Sequence, residues 1–217
     1  MSSLTDKVRE EKILNWDAER QLLVKDLSQI LVKKGVMQFG NFTLSSGKTS
    51  PYYIDLRLIP SFPEVFSRVV TAYERSLKTL IGFDDIGAVG GVPTSGLIYA
   101  AVVAHNIKKP LIYVREENKS YGTGKKIEGV IKSRCTVVII DDLITTSGSV
   151  VKTIDALRQK GGEIDNVVVL IDRLEGGKKT LSEKGVTLNA ITNISELADL
   201  LYEMNMMDSE QYTNIKS

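Results

Sequence analysis

Cysteine and histidine are almost absent from this chain, which has one residue of each among 217. The single Cys135 excludes an internal disulfide and a cysteine-based zinc cluster, and its place in the stretch SRCTVVII predicts a buried strand residue. The single His105 has no second histidine to work with. Histidine-based triads and histidine-rich metal sites are therefore poor explanations of any activity.

An excess of one charge is also lacking, since 28 Lys and Arg face 27 Asp and Glu, for a formal net charge of +1. This balance gives no general attraction to nucleic acid or to a membrane surface, so local positive groups must hold any anionic partner. No apolar run approaches the roughly 18 residues of a spanning helix, and the N-terminus MSSLTDKVREEKILNW lacks the apolar stretch of a signal peptide. We expect a cytoplasmic protein without nucleic-acid or membrane partners.

The order of apolar patterns predicts a single α/β domain over residues 1–217. After a polar start, AERQLLVKDLSQILVKKG has leucine and isoleucine at helical spacing and ends at Gly35, which predicts a helix. VMQFGNFTLSSGKTSPYYIDL predicts two or three short antiparallel strands, and FPEVFSRVVTAYERSLKTLI a further helix. From Asp85 onward, continuously apolar strands alternate with amphipathic helices, which predicts a parallel sheet covered on both faces.

One stretch of this sheet region, VVIIDDLITTSGS, joins four apolar residues to two carboxylates and then to small polar residues. Residues 137–140 are expected to form a buried strand. Asp141 and Asp142 should then emerge at its carboxyl end, where ligands bind in such sheets. Carboxylates at that place can accept hydrogen bonds from vicinal hydroxyls or lie close to a metal-bound water.

The second half of the stretch, residues 145–149, precedes a helix predicted to begin near Val150. Its backbone N–H groups, its hydroxyls and the positive end of that helix form a cup suited to a phosphate dianion. Acids beside a phosphate cup indicate a ribose 5-phosphate site with Mg²⁺ nearby. The alternative is an ordinary strand, an N-capping Thr or Ser and two solvated acids.

Other phosphate motifs are not found. No G-x-x-x-x-G-K-[ST] is present, because Lys119 stands where the first glycine before Gly124 and Lys125 should be, and no G-x-G-x-x-G follows a strand. A nucleoside triphosphatase or a dinucleotide enzyme is therefore unsupported. The segment EENKSYGTGKKIEG, residues 116–129, has almost no apolar anchor and is longer than most connections, which favours a mobile lid over a solvated excursion between strands.

Four stretches together resemble orotate phosphoribosyltransferases. VVIIDDLITTSGS resembles the phosphoribosyl pyrophosphate (PRPP) signature of type I phosphoribosyltransferases, and FTLSSGKTSPYYIDLR, REENKSYGTGKKIEG and LIDRLEGG narrow the match to this family. The resemblance implies a type I phosphoribosyltransferase-like α/β fold, with a parallel sheet flanked by helices over about residues 60–200. It also implies a small hood over about residues 20–58 together with the C-terminal segment, and a flexible lid loop.

For PRPP, the resemblance implies that Asp141 and Asp142 contact the ribose hydroxyls and that the following loop wraps the 5-phosphate. Lys119, Asp141 and Asp142 are the implied catalytic residues, with Lys119 neutralising charge on the departing pyrophosphate. The implied PRPP-binding residues are Arg115, Lys119, Tyr121, Asp141, Asp142, Leu143, Ile144, Thr145, Thr146, Ser147, Gly148 and Ser149. No direct protein ligand to the metal is expected, since Mg²⁺ would be held mainly by PRPP and water.

For orotate, the resemblance implies that Arg173 pairs with the carboxylate as a bidentate fork. Thr145 would lie near the base, and Tyr53 and Ile54 against its ring. The alternatives are that Arg173 neutralises Asp172 or Glu175, and that FTLSSGKTSPYYIDLR is an edge hairpin with two core aromatics.

The resemblance implies that the lid residues Lys119 and Tyr121 reach the neighbouring subunit's site. A homodimer with the lid contributed in trans is therefore also implied. Glu116, Ser45 and the pair Thr94–Ser95 stand where many members carry cations, which predicts weaker PRPP binding or a different salt response. The implied reaction is the Mg²⁺-dependent transfer of ribose 5-phosphate from PRPP to orotate, in de novo UMP biosynthesis. The alternatives are transfer to a purine or uracil, and a PRPP-sensing regulator.

Overall fold

A computed structural model describes residues 4–43, 47, 49–115 and 126–216. The chain divides into two units, one of Met1–Val69 with Thr192–Ser217 and the other of Val70–Ile191. The helices are α1 (Leu4–Lys33), α2 (Pro63–Leu80), α3 (Ser95–Asn106), α4 (Gly148–Arg158), α5 (Gly177–Glu183), α6 (Ile194–Glu203) and α7 (Ser209–Lys216), with a 3-10 helix at Leu56–Ser61. The strands are β1 (Met37–Thr43), β2 (Thr49–Ile54), β3 (Ala88–Gly91), β4 (Leu111–Val114), β5 (Ile127–Glu128), β6 (Cys135–Ile144), β7 (Gly162–Asp172) and β8 (Thr187–Asn193).

In the first unit, helix α1 is longer than the sequence pattern predicted. It begins at Leu4 rather than near Ala18. Strong helix formers such as Glu, Lys, Arg and Leu dominate its first turns, and neither Gly nor Pro interrupts it. Trp16, with 5% of its surface exposed, continues the buried side of Val24 and Leu31 toward the N-terminus. The polar segment from Leu4 to the predicted start near Ala18 is therefore helical.

The first unit also contains the predicted antiparallel hairpin, which has two strands. β1 pairs with β2 from Met37 opposite Ile54 to Thr43 opposite Thr49, with an irregularity between Phe39 and Phe42. An ion pair ties α1 to α6 within the same unit, because Arg20 Nη1 lies 2.8 and 2.9 Å from the two carboxylate oxygens of Glu196.

The second unit is built on a six-stranded sheet in the order β5-β4-β3-β6-β7-β8. β3 is parallel to β4 and β6, and β6 is parallel to β7, which confirms the predicted parallel sheet. The antiparallel edge strand β5 was not predicted, because its residues belong to the segment expected to be a loop. The buried core of this unit includes Ala88, Ile112, Val137, Ile139, Ile154, Leu157, Val167, Val169 and Leu181.

Strand β6 continues past the predicted end at Ile140. Its pairing with β3 stops at Gly91 opposite Ile140, but its pairing with β7 extends to Ile144 opposite Asp172. Asp141 and Asp142 therefore lie within the strand, on a section that has a partner on one side only. At the other end of the strand, Cys135 is half-buried rather than buried, since it is the first residue of β6. Within the described ranges, no helix is both long enough and apolar enough to cross a membrane.

Candidate active site

The two acids of β6 differ in their surroundings. Asp141 is only 7% exposed, and its Oδ1 accepts a hydrogen bond of 2.9 Å from the backbone N–H of Asp142. Burial, and then the neighbouring charge of Asp142, raise the pKa of Asp141 well above its ordinary value. Asp142 is only partly buried. The alternative of two solvated acids is wrong for Asp141, which is an interior carboxyl.

Two neighbours fix the backbone and side chain of Asp141. The hydroxyl of Tyr73 on α2 donates a hydrogen bond of 2.7 Å to the Asp141 carbonyl. Gly96, in the first turn of α3, lies so close that a Cβ on it would be 2.5 Å from Asp141 Oδ1 and 2.9 Å from the Ile140 carbonyl. The position at Gly96 must therefore lack a side chain for α3 to pack against the acidic end of β6.

The loop after β6 leads directly into helix α4. The helix begins at Gly148, two residues before the predicted start, so Gly148 and Ser149 belong to its first turn. Ser147 precedes it with a left-handed φ of 71°, and its side chain makes no capping hydrogen bond to the helix. Its hydroxyl donates instead to the carbonyl of Thr146. No side chain at this position therefore caps α4, contrary to the alternative of an N-capping Ser, and the first-turn N–H groups can serve a ligand.

Two glycines show which side of this loop is closely packed and which side is open. A Cβ on Gly177, the first residue of α5, would lie 2.5 Å from the carbonyl oxygen of Thr145. A Cβ on Gly148 would have no atom within 4 Å. The loop therefore packs against α5 on one side and is open at the N-terminus of α4, where a phosphate could enter.

Arg173 follows the last residue of β7 and lies beside the same loop. Its backbone N–H donates 3.0 Å to the carbonyl of Ile144, which continues the β6–β7 pairing by one residue. Its side chain is 8% exposed, and its Nε lies 2.8 Å from Oε1 of Glu175. Asp172 turns elsewhere, because its Oδ1 accepts from the backbone N–H of Leu174 at 2.8 Å. The sequence considered both acids as partners of Arg173, and the structure selects Glu175.

Ser95, the first residue of α3 in the stretch GGVPTSG, has a buried polar atom that the sequence did not reveal. The hydroxyl of Ser95 has no hydrogen-bond partner, and no other buried side-chain nitrogen or oxygen in the described part of the chain shares this state. Such an atom is costly unless a ligand or water satisfies it. Ser95 directly precedes Gly96, the residue that packs against Asp141. Only tertiary burial identifies this hydroxyl, since serine at the start of a helix is ordinary.

Arg115, the first of the predicted lid residues, follows β4 and forms an ion pair through Nη2 with Glu128 of β5. Its backbone N–H also donates 2.9 Å to the carbonyl of Lys126. The two ends of the predicted lid are thus joined at its base. Lys119 and Tyr121 lie outside the described residues, as do Glu116 and Ser45 among the positions that differ from the family pattern.

Tyr53 and Ile54, the predicted hood residues, lie on β2 in the other unit. Both are half-buried, and Tyr52 rather than Tyr53 is the buried aromatic of this strand. The Tyr53 ring packs against Phe42 with a centroid distance of 5.6 Å, and its hydroxyl accepts from Arg57 at 3.0 Å. The role of Tyr53 and Ile54 at the base stays a prediction.

The acids can serve Mg²⁺ only together with other ligands. No group of three or more Asp, Glu, His or Cys side chains able to hold a metal occurs among the residues the structure describes. Mg²⁺ prefers six oxygen ligands and usually keeps several waters. Asp141 and Asp142 fit a magnesium ion that is held by substrate oxygens and water, because their carboxyl oxygens can accept hydrogen bonds from its water ligands.

Comparison with known proteins matches residues 71–200 to the phosphoribosyl transferase domain. The orotate phosphoribosyltransferase of Cenarchaeum symbiosum is 35% identical over 187 residues, which are 86% of this chain and 94% of that protein. The crystal structure of orotate phosphoribosyltransferase from Aeropyrum pernix has 34% identity and a TM-score of 0.68, and the match covers 82% of this chain and 99% of that one. The structure of Leishmania donovani UMP synthase has 35% identity and a TM-score of 0.76, and the match covers 88% of this chain but 41% of that one. The chain therefore belongs to the phosphoribosyltransferase family and, within it, to the orotate phosphoribosyltransferases.

Proposed function

We propose that this chain catalyses the transfer of ribose 5-phosphate from PRPP to orotate, which gives orotidine 5'-phosphate and pyrophosphate in de novo UMP biosynthesis in the cytoplasm. One observation carries the proposal: a pair of acids with one interior member, an uncapped helix start and a largely buried arginine lie on one continuous β6–loop–α4 and β7 framework. Acids suit ribose hydroxyls, helix N–H groups suit a phosphate, and a guanidinium suits a planar carboxylate.

PRPP binds in this proposal with its ribose at Asp141 and Asp142 and its 5-phosphate in the loop that leads into α4. The phosphate receives hydrogen bonds from the N–H groups of the first turn of α4, reached past Gly148. The raised pKa of Asp141 favours retention of a proton on that carboxyl. This reduces the negative charge that the site presents to a strongly anionic substrate.

Catalysis rests on positioning and electrostatics. Orotate displaces pyrophosphate at ribose C1 with inversion, through an oxocarbenium-like state whose positive charge the Asp142 carboxylate stabilises while Asp141 holds the ribose hydroxyls by hydrogen bonds. The Ser95 hydroxyl, buried without a partner, is suited to donate to an oxygen of the leaving pyrophosphate. When bound, Mg²⁺ supplies further neutralisation of the pyrophosphate charge.

The lid completes the site in this proposal. Arg115, Lys119 and Tyr121 clamp the pyrophosphate, and Lys119 and Tyr121 act on the site of a second copy of the chain, which requires a homodimer. Closure excludes water, which matters because an oxocarbenium-like state is readily hydrolysed. Tyr53 and Ile54 contribute the hood over the orotate ring.

The direct test follows orotate absorbance and pyrophosphate release with PRPP and Mg²⁺, and repeats the assay with uracil and hypoxanthine. We expect turnover with orotate only, and omission of Mg²⁺ should lower the rate. Turnover with uracil or hypoxanthine but not with orotate would make the chain a transferase for another base. Salt-sensitive binding to duplex DNA or RNA, with no turnover of any base, would make it a PRPP-sensing regulator.

A further inference from the structure

We infer that Glu175 is a built-in competitor for the substrate carboxylate: it occupies Arg173 in the absence of substrate and must leave when an anionic base binds. The inference rests on the proposed function, since it takes the arginine as the group that meets the carboxylate of the base. It assigns Glu175 a role in setting both the affinity for orotate and the preference for anionic over neutral bases.

The burial of Arg173 requires a partner at all times. Its side chain is 8% exposed, and a buried guanidinium without a counter-charge would be strongly destabilising. Glu175 supplies that counter-charge through the contact of 2.8 Å between Nε and Oε1. Glu175 thereby takes up the Nε donor, which a bidentate substrate carboxylate would also use.

Glu175 is placed so that it can leave this position. Its side chain is 34% exposed, four times the exposed fraction of Arg173, so its charge can return to water with little desolvation cost. It stands on a short turn between β7 and α5, after Leu174, whose φ is 60°. That turn is held by the hydrogen bond from the Leu174 N–H to Asp172, which does not involve Glu175. Movement of the Glu175 side chain therefore leaves the turn intact.

The local charge supports exchange rather than simultaneous binding. Glu175 and a substrate carboxylate would compete for the single positive charge of Arg173, and two carboxylates held side by side at one guanidinium would repel each other. Exchange of one carboxylate for another keeps the guanidinium paired throughout. A neutral base offers nothing to the arginine, so the Arg173–Glu175 pair persists and Glu175 has no effect on its binding.

Glu175→Gln tests this inference, because the amide retains shape and a hydrogen-bond acceptor but removes the competing charge. We expect the orotate KM to fall by roughly threefold to tenfold, with kcat and the PRPP KM nearly unchanged. Glu175→Asp, which keeps the charge, should stay near the wild-type orotate KM. Glu183→Gln is the matched control, because Glu183 lines the same surface depression as Asp172 and Leu174 and is exposed. It should leave the orotate KM unchanged.

The opposite outcomes are distinct. A raised orotate KM in Glu175→Gln would show that Glu175 orients Arg173 for the substrate, and an unchanged KM would show that the pair is purely structural; either result overturns the inference alone. Equal lowering by Glu183→Gln would reduce the effect to general surface charge. Absence of orotate turnover in the wild-type chain would instead overturn the proposed function, and the inference with it.

Discussion

The hydroxyl of Tyr73 donates a hydrogen bond of 2.7 Å to the backbone carbonyl of Asp141, which joins α2 to the acidic section of β6. Tyr73 is fully buried, and its ring lies 5.7 Å from that of Tyr99. Burial raises the pKa of Tyr73 well above its usual value, which favours the protonated hydroxyl that donates to Asp141. A neutral hydroxyl from α2 thus holds the backbone of Asp141 in place.

Tyr73→Phe should lower the free energy of unfolding by about 1 kcal/mol, because the Asp141 carbonyl loses a buried donor. The PRPP KM should rise while the orotate KM changes little, because loss of this hydrogen bond displaces only the acidic end of β6. Urea denaturation and steady-state kinetics measure the two effects. Tyr202→Phe, at a tyrosine that is 44% exposed, is the control and should change neither. A PRPP KM that stays at the wild-type value would separate Tyr73 from the site.

Asp141→Asn should stabilise the fold at neutral and alkaline pH and depress turnover. The pKa of Asp141 is raised in the folded state, so the folded chain binds more protons than the unfolded chain in the window from 3.8 upward to the folded value. Stability of the wild type therefore falls as pH rises through that window. The asparagine variant has no carboxyl to ionise and therefore does not lose stability in this way. Unfolding free energies of both proteins across the pH range measure this; parallel curves would contradict it.

Two glycine substitutions should separate folding from ligand binding. Gly96→Ala places a Cβ 2.5 Å from Asp141 Oδ1 and 2.7 Å from its Cα, so we expect lower stability together with loss of activity.

Gly148→Ala meets no atom within 4 Å and should leave stability unchanged or raise it by about 0.5 kcal/mol. Its PRPP KM should nevertheless rise, because the methyl group stands at the mouth of the phosphate loop. Thermal melts and PRPP saturation curves give both readouts, and normal PRPP saturation in Gly148→Ala would place the phosphate elsewhere.

Arg173→Ala should raise the orotate KM by roughly tenfold or more, because a charged hydrogen-bonding pair with the carboxylate is lost. The chain should still fold, because the Glu175 carboxylate, having lost its ion-pair partner, is partly exposed and can be hydrated. Circular dichroism checks the fold, and orotate saturation at fixed PRPP checks the role. Unchanged orotate saturation would refute the assignment of Arg173 to the base.

Lys119→Ala should reduce turnover far more than orotate affinity, and its location in trans can be tested by complementation. Lys119→Ala and Asp142→Asn chains are each expected to be nearly inactive alone. In a co-expressed mixture, half of the dimers pair one chain of each kind, and each such dimer has one intact site if the lid acts in trans. Activity should then recover to about a quarter of the wild type. A lid acting on its own subunit gives no recovery, because every site then carries one defect.

Much of the fold was predictable because burial imposes its periodicity on the sequence. The apolar run at residues 137–140 predicted an interior strand, and the alternation of such strands with amphipathic helices indicated a parallel sheet. The hairpin of β1 and β2 followed from β-branched and aromatic residues broken by glycine and proline. The extension of α1 to Leu4 was missed, because a polar helix has no apolar period to detect and depends on propensity and on a few anchors such as Trp16.

The residues themselves indicated the acids and the phosphate loop as a candidate site, and the family resemblance added Arg173; the roles of all of them stay predictions. The limit of sequence reasoning lay at contacts between distant segments. The sequence could not show that β6 keeps one partner beyond Ile140, since strand length on each side depends on how far β3 and β7 extend. The buried, unpartnered hydroxyl of Ser95 and the choice of Glu175 over Asp172 were equally invisible to it.

The sequence by itself determined the class of fold, the strand that carries the acids and the small residues that begin α4, because these depend on local periodicity and backbone preference. Only the tertiary structure decided which acid is interior, which hydroxyl lacks a partner and which carboxylate holds the arginine. Desolvation and ion pairing depend on atoms that are far apart along the chain, and their energies are settled only when those segments pack together.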